Sequence, residues 1–334
     1  MKFPVQLLEA LVPRDVIGFC YHAVSDRPLP HVQSLYRCKS VAQFKRDLDF
    51  LQRNYRIIGY EDVERARMQP RGKRPCAVIT FDDGLAECHD IVRPVLLEYG
   101  LPAIFFVTTE FLDNRRLFYR QKVALCIDAY DRLSADAASA VRKDVALFFG
   151  SSLDSSTKLL VRLQSATWTE EPAIDATCDR LGVDTSRFLR TARPYLTYAQ
   201  VRALATDGFT VGAHGTSHQM LGTMSEPGIE AEIVESCNTV SQLVSASVVP
   251  FAFPFGGHKV NRDMLRSLRE SHPRVGLFFD SRQLAPDRDF IVNRLVVDDP
   301  RGAITNGSNL PARLRRAYGR EMVRPLLRAR VRRR

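Results

Sequence analysis

The sequence of 334 residues contains no apolar run long enough to cross a membrane and no cysteine pattern typical of disulfides or zinc sites. A membrane helix needs about 18 apolar residues, whereas the apolar run at 101–107 is only strand-sized. The seven cysteines are scattered, odd in number and form no CxxC pair, which predicts buried thiols in a reducing compartment. The first 13 residues lack the unbroken apolar stretch of a signal peptide. We therefore expect a cytoplasmic protein.

The body of the chain also lacks an excess of either charge, although the whole sequence carries a net +10. Residues 313–334 hold ten arginines and one glutamate, while the other 312 residues carry 38 basic and 37 acidic side chains. The arginine-rich segment has one aromatic residue, Tyr318, so it lacks the stacking platform of a single-strand binder. No glycine-rich phosphate loop, helix-turn-helix or zinc-finger spacing is present either. We expect no specific nucleic-acid partner.

The arginine-rich C terminus is instead typical of a surface-binding segment. Over 311–331 apolar residues alternate with arginines as in a basic amphipathic helix. Such a helix would be attracted to an anionic membrane surface or to phosphate-bearing substrates. A solvated tail and nucleic-acid binding stay open as alternatives. Attraction to an anionic membrane would place the protein at the inner membrane face as a peripheral protein. No feature of the sequence indicates the oligomeric state.

Short apolar runs alternate with helical patterns along most of the chain, which predicts βαβ units in a parallel sheet or barrel. Cys76–Phe81 is a continuous apolar run, as expected for a strand buried on both faces. Ser40 is a candidate helix N-cap, because apolar residues at helical spacing follow it. The other predicted strands lie at 16–21, 103–107, 210–213, 248–253, 275–279 and 291–297, and further helices at 91–99, 198–205, 226–244 and 262–269.

One segment, 113–193, interrupts this alternation and is predicted to be a helical insertion. We expect helices at 118–133, 135–149, 157–163 and 173–181. The predicted domains are thus a barrel formed by 1–112 and 194–300, the insertion, and a basic C-terminal helix or tail at 301–334. Loops at the carboxyl ends of barrel strands surround active sites, so the insertion is a candidate lid, with an elaboration remote from the site as the alternative.

Two adjacent carboxylates, Asp82 and Asp83, follow the strand Cys76–Phe81 within the motif TFDDG. Like charges this close disfavour joint ionisation, and a bound cation would relieve the conflict. Aspartate and glycine are also ordinary turn residues. The motif alone is therefore open to both interpretations.

Two histidines, His214 and His218, follow the predicted strand 210–213 at a spacing of four. On a turn or short helix this spacing can present both rings to one ion. The barrel arrangement would bring them to the same rim as Asp83. Two histidines and one carboxylate leave positions open for water, which is the pattern of a hydrolytic metal site.

A third motif, PFAFPFGG at 250–257, ends the predicted strand 248–253. Its proline and paired glycines expose backbone at the rim, where an N–H group can face a reacting oxygen. An ordinary strand-to-helix turn is the alternative for this motif taken alone.

In this order, the three motifs resemble those of the polysaccharide deacetylases of the NodB-homology superfamily. The text around them is also similar, for example YGLPAIFFV at 99–107 and LTYAQVRALATDGFTVGAHGTSH at 196–218. The resemblance covers about 16–112 and 194–297. It implies a distorted (β/α) barrel of about seven strands and metal-dependent hydrolysis of an N-acetyl group from an amino sugar. The implied substrate is an N-acetylated glycan or sugar precursor.

Carried over by position, the resemblance implies that Asp83, His214 and His218 bind one divalent metal ion, with zinc expected. Asp82 would be the general base that takes a proton from the attacking water. The backbone N–H of Phe255 would help to hold the oxyanion. We further expect Pro254, Gly256 and Arg294 to contribute to oxyanion or substrate binding.

The sequence departs from the family pattern at four places. One is Phe255, which replaces the usual tyrosine and keeps the backbone N–H. Gly215 stands where serine or threonine usually follows the first histidine, and Ala252 replaces the arginine that usually orients the base. The usual C-terminal Leu-x-His, which supplies the general acid, has no match in 293–297. As a hypothesis, His22 or His258 lies in the site and replaces that acid.

Other functions stay open at this point. The departures are compatible with a deacetylase-fold protein that binds glycans or partners without turnover. Another amide hydrolase on the same scaffold, acting on cyclic imides or ureides, is a further alternative. The retention of Asp82, Asp83, His214 and His218 favours the active deacetylase.

Overall fold

The computed structural model describes residues 5–12, 14–68, 74–300 and 309–331. The strands are β1 Val16–Tyr21, β2 Tyr36–Arg37, β3 Arg56–Ile57, β4 Cys76–Phe81, β5 Ile104–Val107, β6 Thr210–Ala213, β7 Val249–Ala252, β8 Val275–Asp280, β9 Ile291–Val296 and β10 Asp299–Pro300. The α-helices are α1 Val5–Leu11, α2 Val41–Asn54, α3 Val63–Met68, α4 Arg93–Tyr99, α5 Tyr119–Tyr130, α6 Ala135–Phe148, α7 Ser156–Gln164, α8 Glu171–Arg180, α9 Thr185–Ala192, α10 Tyr198–Thr206, α11 Glu226–Val244, α12 Arg262–Ser271 and α13 Leu310–Val331.

Seven parallel strands close into a barrel in the order β1-β9-β8-β7-β6-β5-β4, and β4 pairs back with β1. The short β3 adds to β4, and β10 and β2 form a separate antiparallel pair. The strands β1, β4, β5 and β8 are buried along their whole length, as their continuous apolar runs require. The predicted (β/α) barrel is confirmed.

The parallel register brings the three sequence motifs to one rim. Asp82 directly follows β4, His214 follows β6, and the loop that starts at Phe253 follows β7. Because all barrel strands run in the same direction, their carboxyl ends meet at one edge. His22 after β1 and Asp298 after β9 lie at the same edge.

The segment predicted as an insertion is helical and has a hydrophobic core of its own. Helices α5 to α9 and no strand occupy residues 119–192, all of which the structure describes. The buried residues of this core include Val123, Cys126, Val145, Leu159 and Ile174. Helix α9 was not among the predicted helices.

The predicted basic tail begins as a helix packed on the barrel. Leu310, Leu314, Ala317 and Tyr318 of α13 are buried in the main core, at the spacing of one helical face. Residues 301–308 and 332–334 of the predicted tail, and the side chains of 324–331, lie outside the described residues. No described helix is both long and apolar enough to span a membrane.

This packing predicts that the free energy of unfolding depends on Leu314. Leu314→Ala removes a fully buried side chain and should destabilise the protein by about 2–5 kcal/mol. Urea unfolding followed by circular dichroism measures the change. Arg320→Ala, an exposed position of the same helix, is the control and should change stability by less than about 0.5 kcal/mol. Equal small effects of both substitutions would contradict the packing.

Candidate active site

Asp83, His214 and His218 form a compact cluster at the barrel rim. Asp83 Oδ1 lies 3.0 Å from His218 Nε2 and 3.5 Å from His214 Nε2. One ligand atom of each residue lies within 4.8 Å of the other two. Both histidines are buried, and the Asp83 side chain is mostly so. A carboxylate oxygen and two imidazole nitrogens that converge on one point are the donor set of a divalent metal site.

The hydrogen bonding of His214 fits a metal ligand. Its Nδ1 lies 2.9 Å from the carbonyl oxygen of Ala252. A carbonyl oxygen can only accept, so Nδ1 carries the proton and the Nε2 lone pair is directed to the cluster. A backbone carbonyl behind a ligating histidine fixes the tautomer in this way in metal sites. The residues present therefore fit one divalent ion, and the chain has a potential Asp/His metal-binding cluster.

Three residues of the rim adopt left-handed backbone conformations that side chains other than glycine rarely take. The φ angles are 73° at Asp83, 59° at His218 and 57° at Phe255. Each costs conformational energy, and such residues concentrate at functional sites. Each of the three motifs contributes one of them, so backbone strain is present in all three motifs that border the cluster.

Asp82 is held by a buried arginine from the last barrel strand. Arg294 of β9 donates to Asp82 through both terminal nitrogens, with distances of 2.6 and 2.8 Å, and to the hydroxyl of Thr80 at 3.0 Å. Arg294 is fully buried, and its guanidinium lies 5.2 Å from the ring centre of Phe106. The two-point contact fixes the orientation of the Asp82 carboxylate.

A glycine in β1 makes room for Arg294. A Cβ atom added at Gly18 would lie 2.3 Å from Cγ of Arg294. β1 lies between β9 and β4 in the barrel, so the arginine side chain must pass over it to reach Asp82. Gly18 permits this crossing.

The charge of Arg294 keeps Asp82 ionised. Burial alone would raise the pKa of Asp82, but Arg294, together with His214, lowers it below its ordinary value. Asp82 is thus a carboxylate at neutral pH and can accept a proton.

His22, directly after β1, adjoins Asp82 from the side of β9. Its Nδ1 lies 2.7 Å from Asp298 Oδ2, which also accepts a hydrogen bond from the His22 backbone N–H. Burial would lower the pKa of His22, but the hydrogen bond to Asp298 and the charges of Asp83 and Asp82 raise it to about 9. These interactions favour the protonated form of His22.

Cys20, His22 and Asp82 form a second group of potential ligands within 4.8 Å of one another. The Cys20 thiol donates to Asp82 Oδ2 at 3.3 Å, and burial raises the pKa of this thiol well above its ordinary value. Arg294 already places a positive charge against Asp82. A neutral thiol and the Arg294 guanidinium beside the carboxylate disfavour a second metal ion at this group.

The loop after β7 is shaped by an aspartate from β8. Asp280 is fully buried and accepts hydrogen bonds from the backbone N–H of Gly257 and from Arg262, both at 2.9 Å. The backbone N–H of Phe255 makes no hydrogen bond within the described part of the chain. The Phe255 ring lies 5.1 Å from that of His218. The loop thus presents a backbone donor beside the histidine cluster.

The loop that carries both histidines is held by Glu232 of α11. This buried carboxylate accepts hydrogen bonds from the backbone N–H groups of Thr216, at 2.7 Å, and Ser217, at 3.2 Å. A Cβ atom at Gly215 would lie 2.8 Å from Glu232 Oε2, and φ at Gly215 is +78°. The glycine that departs from the family pattern is therefore required by the contact with Glu232.

The start of the insertion forms one wall of the cluster. The ring of Phe118, directly before α5, lies 4.5 Å from that of His218, and the guanidinium of Arg120 lies 5.6 Å from the ring of Phe255. The insertion therefore borders the cluster and is not remote from it.

The sequence model of the polysaccharide deacetylase family matches residues 69–143 and 168–274, more than half of the chain. The chain belongs to the polysaccharide deacetylase family. As a polysaccharide deacetylase it is a carbohydrate N-deacetylase, a hydrolase that acts on carbon–nitrogen bonds of N-acetylated sugars.

Solved structures of deacetylases share the fold of this polysaccharide deacetylase. Deacetylase PplD of Streptococcus pyogenes has 14% identity and a TM-score of 0.52, with 84% of this chain and 91% of that chain covered. IcaB of Ammonifex degensii has 16% identity and a TM-score of 0.50, with 90% and 97% covered. At these identities the likeness shows the fold alone. No curated protein matches the sequence.

The structure brings five of the predicted residues of the deacetylase together: Asp82, Asp83, His214, His218 and His22. Phe255, with its neighbours Pro254 and Gly256, borders this group. Two placements differ from expectation. His258 is exposed and belongs to neither cluster, since the turn after Gly257 directs it to solvent. Arg294 is buried beneath Asp82 rather than open to a substrate. Its contact with Asp82 orients this carboxylate, in place of the family's usual arginine, whose position is occupied by Ala252.

Three residues of the site were missed in the sequence: Asp298, Asp280 and Glu232. Asp280 and Asp298 each end or follow an apolar strand run, as Asp82 does, so carboxylates at strand ends were a usable signal for both. Glu232 lies inside a helix, where its sequence position gives no such signal.

The Asp82–Arg294 pair predicts how kcat/KM depends on pH on the acidic side of the pH–rate profile. In Arg294→Gln the pKa of Asp82 rises, because the lowering charge is gone, so the acid limb of kcat/KM moves to higher pH. Arg294→Lys keeps a charge but not the two-point contact, and it should lower kcat with a smaller shift of that limb. The measurement is a pH–rate profile of acetate release.

Loss of the buried pair can destabilise the fold by about 3–5 kcal/mol, so the lysine variant keeps the test available if the glutamine variant does not fold. Arg266→Gln, an exposed position, is the control. An unchanged acid limb and kcat in both Arg294 variants would contradict the pairing.

Proposed function

We propose that this polysaccharide deacetylase removes N-acetyl groups from amino sugars in a metal-dependent reaction, with one divalent ion, zinc being expected, held by Asp83, His214 and His218. The observation that carries the proposal is the convergence of these three donors beside an ionised Asp82. When bound, such an ion polarises the acetamide carbonyl and makes a water molecule more acidic.

Asp82 acts as the general base in the proposed reaction. It takes a proton from the water that attacks the acetamide carbon. The two hydrogen bonds from Arg294 fix its carboxylate, so no reorientation is needed during the transfer. The oxyanion that develops on the carbonyl oxygen is stabilised by the backbone N–H of Phe255, which has no other acceptor in the described structure.

His22 acts as the general acid. Its Nδ1 is held by Asp298, and one of its ring nitrogens lies within 4.8 Å of ligand atoms of Asp82 and Cys20. Nε2 is the proposed donor. Protonated His22 transfers its proton to the leaving amine nitrogen as the carbon–nitrogen bond breaks, which releases acetate and the free amino sugar. The His22–Asp298 pair would thus replace the acid that the family usually places after its last strand.

The substrate is proposed to be an N-acetylated glycan, oligosaccharide or sugar precursor, and the site of action to be the cytoplasm. The wall formed by Phe118 and Arg120 supports a covering role for the insertion over the bound sugar. The amphipathic pattern of 311–331 supports attraction of the C terminus to an anionic surface. The proximity of Asp83, His214 and His218 to Asp82 and His22 favours turnover over a binding protein without activity.

Metal content and activity should separate the roles of the two aspartates. Asp83→Asn and His214→Gln each remove a metal donor and should lose the bound ion and acetate release together. Asp82→Asn should keep the ion and lose at least about 10²-fold in kcat. Elemental analysis and acetate release from N-acetylated oligosaccharides measure the two properties.

His272→Gln, a partly exposed histidine paired with Glu230, is the control for these variants and should keep both properties. Retention of a full equivalent of metal in Asp83→Asn and His214→Gln would rule out the proposed metal site.

The proposed role of His22 predicts how kcat depends on pH on the alkaline side of the pH–rate profile. Because the general acid must be protonated, kcat should fall as the pH rises through about 9, the pKa of His22. His22→Gln should lower kcat by about 10²–10⁴-fold and remove this limb, with the metal content unchanged. His258→Gln, at the exposed position, should behave as wild type. A full rate in His22→Gln would exclude this acid.

A further inference from the structure

A cavity of about 400 Å³ adjoins the proposed active site on the side of His22. It lies between the carboxyl ends of β1 and β9, the segment after β8, and helix α13. Its polar lining includes His22, Asp298, Ser281 and three arginines of α13, Arg313, Arg316 and Arg320. His22 is therefore shared between this cavity and the group that contains Asp82.

The cavity is positively charged. The three arginines follow one another at spacings of three and four and so lie on one face of α13. Arg313 donates to the carbonyl oxygen of Val296 at 3.2 Å, which fixes it against the end of β9. Arg316 and Arg320 are exposed, and neither has an ion pair within the described ranges. The one carboxylate among the lining residues, Asp298, is bonded to His22.

We propose that this cavity binds a phosphate group of the substrate, so that the enzyme acts on a phosphorylated N-acetyl amino sugar. The inference rests on the proposed deacetylation and names its substrate class. Guanidinium groups bind phosphate through paired hydrogen bonds, and three of them line a cavity whose single carboxylate, Asp298, is paired with His22 through Oδ2. His22 borders both the cavity and the group that contains Asp82. A sugar whose acetamide lies at Asp82 would therefore have a neighbouring substituent in the cavity.

A sugar phosphate of this kind could be part of a nucleoside diphosphate sugar or of a lipid diphosphate sugar. Both carry the same phosphate on the sugar, and the cavity recognises that shared group. The difference between them lies in what extends beyond the phosphate.

Binding can be tested without turnover, using ligands that have no acetamide. We propose calorimetric titration of the metal-loaded full chain with glucose 1-phosphate, glucose and glucuronic acid. Arg316→Gln and Arg320→Gln are the test variants. Arg315→Gln is the matched control, because Arg315 is an arginine of the same helix that does not line the cavity. Since Arg316 and Arg320 are exposed, their substitution leaves the core unchanged.

The proposal predicts that glucose 1-phosphate binds more tightly than glucose and glucuronic acid. Arg316→Gln and Arg320→Gln should each weaken glucose 1-phosphate binding by about tenfold, and Arg315→Gln by less than about twofold. Equal weakening by all three variants would show unspecific attraction and overturn the proposal. So would equal affinity for glucose and glucose 1-phosphate, or tighter binding of glucuronic acid.

Two further ligands distinguish the sources, uridine diphosphate glucose and a short-chain prenyl diphosphate glucose. If one of the two binds more tightly than the other, and Arg316→Gln removes this binding, the result supports the proposal and identifies which of the two classes of sugar phosphate is the substrate. Acetate release separates this inference from the proposed function. Release from an N-acetylated sugar phosphate that Arg316→Gln leaves unchanged would overturn the phosphate site alone, whereas arginine-dependent binding without any acetate release would overturn the deacetylation alone.

Discussion

The site depends on one electrostatic constraint, the placement of two adjacent carboxylates in a buried position at the end of β4. Neither can remain ionised there without a positive partner. For Asp82 the partner is the guanidinium of Arg294, which contacts both carboxylate oxygens. For Asp83 the two nearby groups are the imidazoles of His214 and His218, a donor set that fits a cation. The division gives the two aspartates different surroundings, which suit the proposed roles of Asp82 as base and Asp83 as metal ligand.

Much of the surrounding structure serves this arrangement. Gly18 leaves space for Arg294 to cross β1, and the closure of β4 onto β1 brings β9 close enough for the contact. Glu232 holds the histidine loop by its backbone, and Asp280 holds the loop that carries Phe255. The left-handed residues His218 and Phe255 lie in these two anchored loops.

The barrel and the proximity of Asp83, His214 and His218 could be predicted from the sequence because their signals are local. Continuous apolar runs such as Cys76–Phe81 mark buried strands, and motifs at the strand ends place side chains on one rim. The role of Arg294 could not be predicted this way. Position 294 lies within a strand with no motif, and its contact with Asp82 depends on β9 being the neighbour of β1 in the closed barrel. The sequence offered both His22 and His258 as the acid, and in the structure the presence of Asp298 beside one and solvent around the other separates them. Helix α13 was predicted as amphipathic, but its docking on the barrel depends on tertiary contacts of Leu314 and Tyr318.

The most direct test of the account is acetate release by the wild-type chain before and after removal of its metal. The protein is stripped with a chelator and then reloaded with one equivalent of Zn²⁺, and acetate released from N-acetylated glucosamine oligosaccharides and sugar phosphates is followed. The account predicts that stripping abolishes release and that one equivalent restores it. Undiminished release by the metal-free protein would contradict it, as would the absence of release from every N-acetylated sugar after reloading.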